Sequence, residues 1–442
     1  MLQLSYRAIL RMAVPLMASS FIQSVVMITD SSFLSRYSTT AFDAAGNGGM
    51  IYITLYVVLM GMSDGSQILI ARRVGEQKQD ELPRIFGSTL IMNFFLASIL
   101  YFLSVIFSSF FLDSIVVNKE IAVAEGEFLK IRSIGVFFSV ASLSIIAYLM
   151  AIGKTRLVLY SSAIIATSNI FLDYVLIFGN WNFPQLGLEG AAWASTTADA
   201  IGMTFLVIAF LKNSEQKKHA IIKRLSIKKQ TMLRLLKVSS PIMLQGLVAL
   251  STWTTFFIFI EQKGTHELTI SQTIRSIYFL AFVPIWGFSS TTKTYISQYI
   301  GNKQFKRIPI VQRRIQILTV SSLVILSHGL LLYPESLASL VNPDAAYIEE
   351  TAEILQFIFA SILIFGFISV YFQTIAGSGN TRQSFLVEFI SVMIYIITSY
   401  LFVKVMNLDI YWIWSVEYIY FITLGLLSYL YLKFFNWKDK KI

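Results

Sequence analysis

The sequence of 442 residues has no cysteine, three histidines and eight prolines, and only 14% of its residues are charged. Without cysteine there are no disulfides, thiolate metal sites or thiol nucleophiles. The histidines are scattered, with no HExxH pair, and no Gly-rich phosphate loop occurs, so a membrane-embedded enzyme is only a distant alternative. Scarce charge beside 55% hydrophobic residues and a mean hydropathy of +0.67 excludes a soluble multidomain protein.

What the chain does have is long apolar runs. Twelve occur, near 8–34, 46–71, 86–110, 128–151, 157–179, 188–211, 234–261, 271–298, 312–333, 352–376, 383–406 and 410–434. Each is long enough to cross a hydrocarbon core ~30 Å thick. The first is long, carries Asp30 and lacks a small-residue cleavage site, so it reads as retained and not as a signal peptide. A formal charge of +10 would suit a polyanion, but the bases fall on alternate connections. Arg72, Arg73, Lys78 and Arg84 follow the second run, and Lys154 and Arg156 the fourth; nine bases lie between Lys212 and Lys237, five between Lys303 and Arg314, and four in the tail from Lys433. This is the positive-inside pattern of a multi-pass protein with both termini cytoplasmic. The charge therefore sets topology in a lipid bilayer, and nucleic acid is not an expected partner.

The runs are written twice. Pro15 recurs as Pro241, Gly61 as Gly287, Gly75 as Gly301, Gly153 as Gly379, Thr155 as Thr381 and Arg156 as Arg382, all at an offset of 226. Six spans per copy make parallel repeats of the secondary-transporter kind. The expected division is an N-terminal lobe 1–211, a basic linker 212–233 and a C-terminal lobe 234–442. Gly61 and Gly287 read as close-approach points, Gly75 and Gly301 as left-handed helix caps, and Gly153 and Gly379 as tight turns. An amphipathic surface segment is expected in the connection Tyr333–Glu350.

The acids are not duplicated: Asp30 faces Phe256, Asn169 faces Tyr395 and Asp173 faces Ser399. Gln23 and Asp30 are seven apart and Asn169 and Asp173 four apart, so each pair shares a helix face. A charge near the bilayer centre costs at least ~2.5–3.5 kcal/mol, and no Lys or Arg stands in the middle of spans one, five or six. Two such carboxylates need a proton, a metal cation or a basic partner. With Ser195 and Asn169 the same oxygens also suit Na⁺, which favours oxygen donors. Asp64, Asp199 and Glu388 are further buried polar candidates, for structure or for substrate and gating. Arg275 and Lys293 are the deep cations of the second copy, with Glu261 and Glu417 placed to neutralise them, and His328 reads as a packed residue. The chain's 36 Phe, 21 Tyr and 14 Met supply material for a soft cleft that holds organic cations by area and cation–π contact.

Several motifs together carry a family resemblance. They are Pro15 with Ile28-Thr29-Asp30, Gly61-Met62-Ser63-Asp64-Gly65 leading to Gly75, Gly153-Lys154-Thr155-Arg156, the run from Asn169 through Asp173 to Gly179, and Gly190-Ala191-Ala192-Trp193-Ala194. In this order, with twelve spans and the duplication, the chain resembles the multidrug and toxic compound extrusion family, most closely its prokaryotic DinF-like branch. The resemblance implies an all-α membrane fold of twelve helices in two pseudo-symmetric six-helix lobes forming a V. It makes Asp30 the coupling carboxylate, Gln23 its neighbour, and Asn169 and Asp173 its fifth-span partners. Ser195 stands where the family often has threonine, with Thr196 and Thr197 beside it. The chain departs from other branches in having no acid between Pro241 and Leu250. The implied activity is an antiporter in a prokaryotic cytoplasmic membrane, functional as a monomer. It would export amphipathic, often cationic, organic compounds against H⁺ or Na⁺, with no other cofactor. A flippase for lipid-linked precursors is the alternative.

Overall fold

In hydrocarbon every backbone polar group must be satisfied within its own segment, which leaves long apolar runs little choice but helix. The computed structural model describes residues 2–110, 112, 119–440 and 442, and among them there is no strand. The long helices are α1 (Tyr6–Tyr37), α2 (Thr39–Gly75), α3 (Leu82–Phe110), α4 (Lys119–Ala151), α5 (Arg156–Phe178) and α6 (Gly187–Lys212). The second copy gives α7 (Lys229–Glu261), α8a (Thr265–Ala281), α8b (Val283–Gly301), α9 (Ile308–Ser327), α10 (Ala345–Gly377), α11 (Thr381–Tyr400) and α12 (Val416–Phe434). Eleven helices of the described residues are long and apolar enough to cross a membrane alone, and α8a with α8b forms a twelfth span bent by 43°.

That bend was not expected in the run 271–298. Pro284 sits in the first turn of α8b, where its missing N–H costs nothing but cannot continue the preceding helix. The N–H of Phe282 closes α8a instead, on the carbonyls of Tyr278 (3.2 Å) and Phe279 (3.3 Å). The connection after α9 contains the short helix Pro334–Val341, which buries Pro334 and Ala338. The helix caps also need correction. Gly75 and Gly301 remain helical, and the left-handed positions are Gln77 (φ 59) and Lys303 (φ 55). The following N–H groups then reach back, Lys78 to Arg73 O and Gln304 to Tyr299 O, both at 2.9 Å, which is the helix-ending pattern that satisfies the last carbonyls. Gly153 (φ 76) and Gly379 (φ 85) do occupy the left-handed region.

Two compact units emerge, residues 1–17 with 244–442, and residues 18–243. Their boundaries differ from a division at the linker: they cut α1 and α7, so each unit owns the first turns of the other copy's leading helix. Gly61 and Gly287 explain this. A Cβ at Gly61 would lie 2.7 Å from Met243 Cα, and one at Gly287 would lie 3.1 Å from Ala13 O and Met17 N. Met17 and Met243 are themselves repeat partners, so one close backbone approach has been built twice. Pro15 lies inside α1 and Pro241 inside α7, two residues before each boundary, where each removes an i→i−4 hydrogen bond and loosens the helix.

The linker belongs entirely to the second of these units. Residues 214–218 form a helical turn, Ile221 is buried, and Arg224 pairs with Asp80 at 2.9 Å. Gly87 has no side chain because the chain lies against it: a Cβ there would be 2.8 Å from Ser226 O. His219 is buried, with Nδ1 2.6 Å from Tyr148 Oη. Burial holds the His219 imidazole below its ordinary pKa, with Glu215 opposing and Lys218 reinforcing the shift. The unfolded chain therefore takes up this proton more readily. The contact's contribution is complete above about pH 6.5 and is lost as pH falls below it. Thermal unfolding should show the melting temperature of the wild type falling between pH 7 and pH 5.5 more steeply than that of His219→Gln.

Candidate functional site

The site is assembled from α1, α5 and α6, all within the unit of residues 18–243 for the stretches concerned. Helix α5 starts after the Gly153 turn and ends at Gly179 in a left-handed cap (φ 72). That places Asn169 and Asp173 one turn apart on its buried face, 1% and 0% exposed. Gly190 lets α6 close on α5, since a Cβ there would meet Leu176 O at 2.6 Å. Helix α1 is tied to α5 by a 2.5 Å contact between the hydroxyls of Ser19 and Ser162.

These contacts bring Asp30 and Asp173 together, with their carboxyl groups interacting directly. Asn169 donates from Nδ2 to Ser195 Oγ at 3.2 Å, so the fifth and sixth helices share one polar patch. The acceptors here are short of donors. Asp30 Oδ1, Asn169 Oδ1 and both oxygens of Asp173 are buried with no hydrogen-bond partner among the described residues. An uncompensated buried acceptor costs about 1–3 kcal/mol, more for a charged group, so four in one cluster make a site suited to a proton or a small cation. Gln23 stands apart: it is exposed and two turns back on α1, roughly 10 Å along the axis. Thr196 is buried and donates to Ile131 O at 3.4 Å, while Thr197 is exposed. Asp64 is half-buried on α2 with its own interactions.

The sequence reading did not consider Arg132 as a partner for the acids. From α4 it reaches Asp199 on α6 at 2.8 Å, and its guanidinium lies 4.0 Å over the Tyr52 ring. Gly135 makes the space, since a Cβ there would collide with Arg132 Nη1 and lie 3.1 Å from Asp199 Oδ2. Asp199 follows Ser195 by one turn of α6. The signal was legible in principle: a guanidinium inside an apolar span needs an acid, and Asp199 already read as a buried polar candidate.

In the other unit, the positions facing Asp30 and Asn169 hold a tilted aromatic pair, Phe256 against Tyr395 with ring centres 5.6 Å apart. Two carboxyls are nonetheless buried there. Glu417 accepts from Tyr395 Oη (2.9 Å) and Tyr278 Oη (3.3 Å), and Glu388 from Tyr420 Oη (2.6 Å). Glu417 therefore does not neutralise Arg275, nor does Glu261, which is exposed at the end of α7. Arg275 lies over the Phe257 ring at 4.8 Å and makes no ion pair among the described residues. Lys293 is buried on α8b and has partners of its own. His328 accepts or donates at Tyr333 Oη, 2.8 Å away, in an exposed corner. Unlike Asp30 and Asp173, both glutamates of this unit have phenol donors, so the donor-poor cluster is the stronger ion-site candidate.

Comparison with known proteins agrees with the duplication. The family model described as MatE matches residues 15–175 and again 241–401, so both matched segments start at the repeated prolines. A probable multidrug resistance protein NorM of Thermotoga maritima is 26% identical over 401 residues, covering 87% of this chain and 83% of the relative. The probable multidrug resistance protein YoeA of Bacillus subtilis is 21% identical over 445 residues, covering 99% and 95%. Among solved structures, a multidrug resistance MATE family transporter of the MOP superfamily in an outward-facing conformation superposes with a TM-score of 0.89 at 16% identity, covering 96% and 94%. A MOP superfamily transporter from Pyrococcus furiosus, described as having a binding pocket of reverse polarity that suggests a different function, gives 0.88 at 16% identity with the same coverage.

Proposed function

The chain belongs to the multidrug and toxic compound extrusion family, a family of membrane transporters and not of enzymes, and we propose that it is a proton-coupled antiporter. It exports amphipathic, often cationic, organic compounds by alternating access, as a monomer in a prokaryotic cytoplasmic membrane with both termini inside. The observation that carries this reading is the donor-poor cluster of Asp30, Asp173 and Asn169. One proton held between the two carboxyls supplies a donor and removes a charge at once. When water reaches the cluster from the cytoplasm the proton leaves, and the uncovered charge alters the packing of α1 around Asp30. Binding can shift a conformational equilibrium only through such a difference between states. One-for-one exchange of a proton for a singly charged cation moves no net charge, so the pH difference drives it: a proton crossing about 1.7 pH units yields about 2.3 kcal/mol, equivalent to roughly a fifty-fold concentration ratio.

A second reading rests on the same four oxygens, which also suit Na⁺. The two separate in proteoliposomes loaded with a cationic dye. An imposed pH gradient at zero Na⁺ should drive dye movement, and a Na⁺ gradient at equal pH should not. Movement only with the Na⁺ gradient would make the cluster a sodium site. A flippase needs a basic cleft for its pyrophosphate; Arg275 stands alone on Phe257 and gives that reading little support.

A further inference from the structure

Far from the acid cluster, the base-rich end of the same unit holds a cleft of about 190 Å³. Buried Leu69 of α2 and Ile85 of α3 back it, and Arg84, Lys228, Arg234 and Glu81 line it. Its negative charge is already occupied: Glu81 pairs with Arg73 at 2.8 Å and with Arg234 at 3.8 Å. Arg84 and Lys228 make no ion pair among the described residues. The first turn of α7 opens here, with Gln230 and Thr231 in the wall, and the positive end of that 33-residue helix adds to the same potential.

An independent feature adjoins it. Along the linker, Ile222 (42% exposed), Leu225 (45%), Ile227 (51%) and Leu233 (57%) point outward, interleaved with Lys223, Arg224, Lys228 and Lys229. The segment is held in place by Gly87 and by the Arg224–Asp80 pair, so these apolar groups are displayed and not merely loose. Apolar side chains alternating with bases, at a level where the membrane-spanning helices begin and end, fit the boundary between headgroups and acyl chains.

We propose that this cleft binds the phosphate of an anionic phospholipid, with Arg84 and Lys228 on the phosphate and the glycerol backbone beside Gln230 and Thr231. The outward Leu225 and Ile227 lie beside the acyl chains. A soluble phosphate would use the same bases but leave the displayed linker side chains without a partner, which is why the lipid is favoured as the source.

The test uses the full chain in nanodiscs of phosphatidylcholine with and without phosphatidylglycerol, read as melting temperature. Phosphatidylglycerol should raise the wild-type melting temperature with saturation at a low mole fraction. Arg84→Gln with Lys228→Gln should lose the whole increment while melting as the wild type does in pure phosphatidylcholine. Lys217→Gln with Lys218→Gln, charge-matched but outside the cleft, should keep it. Inorganic phosphate added to phosphatidylcholine discs should give no increment. The proposal fails if the cleft variant keeps the increment, if the control pair loses it equally, or if inorganic phosphate reproduces it.

Discussion

Replacing Asp173 by asparagine should abolish gradient-driven export and leave a folded protein. The side chains are nearly isosteric, and the new amide can donate to the Asp30 carboxyl in place of the shared proton. Folding therefore loses nothing that depends on a second carboxyl. Transport loses its ion, because Asp30 alone can no longer share a proton with a neighbouring acid. In proteoliposomes at zero membrane potential, under a pH difference of about 1.7 units, worth about 2.3 kcal/mol per proton, the wild type should concentrate a singly charged cationic dye roughly fifty-fold. Asp173→Asn and Asp30→Asn should both collapse that ratio to about one, the value of uncoupled movement. A variant that still concentrates the dye would remove Asp173 from the coupling step.

The second large effect is on stability. Arg132→Met should destabilise the protein by about 3–5 kcal/mol, the usual cost of stranding a buried partner. The ion pair is largely shielded, with the Arg132 and Asp199 side chains 16% and 21% exposed, and the guanidinium also loses its place over Tyr52. Adding Asp199→Leu to the same chain should recover most of the loss, since an apolar pair of similar volume needs no compensation. Denaturation in detergent, run as a double-mutant cycle, reads both values. If Arg132→Met alone costs under about 1 kcal/mol, the range of exposed ion pairs, Asp199 is solvated and the packing around Gly135 does not matter.

Features written in single residues or in a period were legible from the sequence. The twelve apolar runs, the offset of 226 and the shared helix face of Asn169 and Asp173 are of that kind, whereas the partnership of Asp30 with that pair came from the family resemblance. Helix periodicity fixes which residues share a face, and the cost of charge in lipid makes the acids conspicuous. Properties of close approach between distant segments were harder to read. Nothing in α1 or α7 alone shows that Met17 must lie against Gly287 or Met243 against Gly61, although the recurrence of all four at one offset contains the information. The break at Phe282 was hidden because a hydropathy window averages over Pro284. The helix caps moved from Gly75 and Gly301 to Gln77 and Lys303 because chain reversal takes two more residues. Arg132 and Asp199 lie 67 residues apart, and only folding shows which acid the base will find. The glutamates of the second copy differ from the aspartates of the first through tyrosine hydroxyls supplied by other helices, as with Tyr395 for Glu417 and Tyr420 for Glu388.

The most direct test of the acid pair is to count protons. In weakly buffered detergent solution, saturating the wild type with a cationic substrate should release about one proton per chain, because substrate and proton favour opposite states of one equilibrium. Asp30→Asn with Asp173→Asn should bind the substrate and release none. Equal release from that double variant would place the coupling proton on some other group and contradict the account.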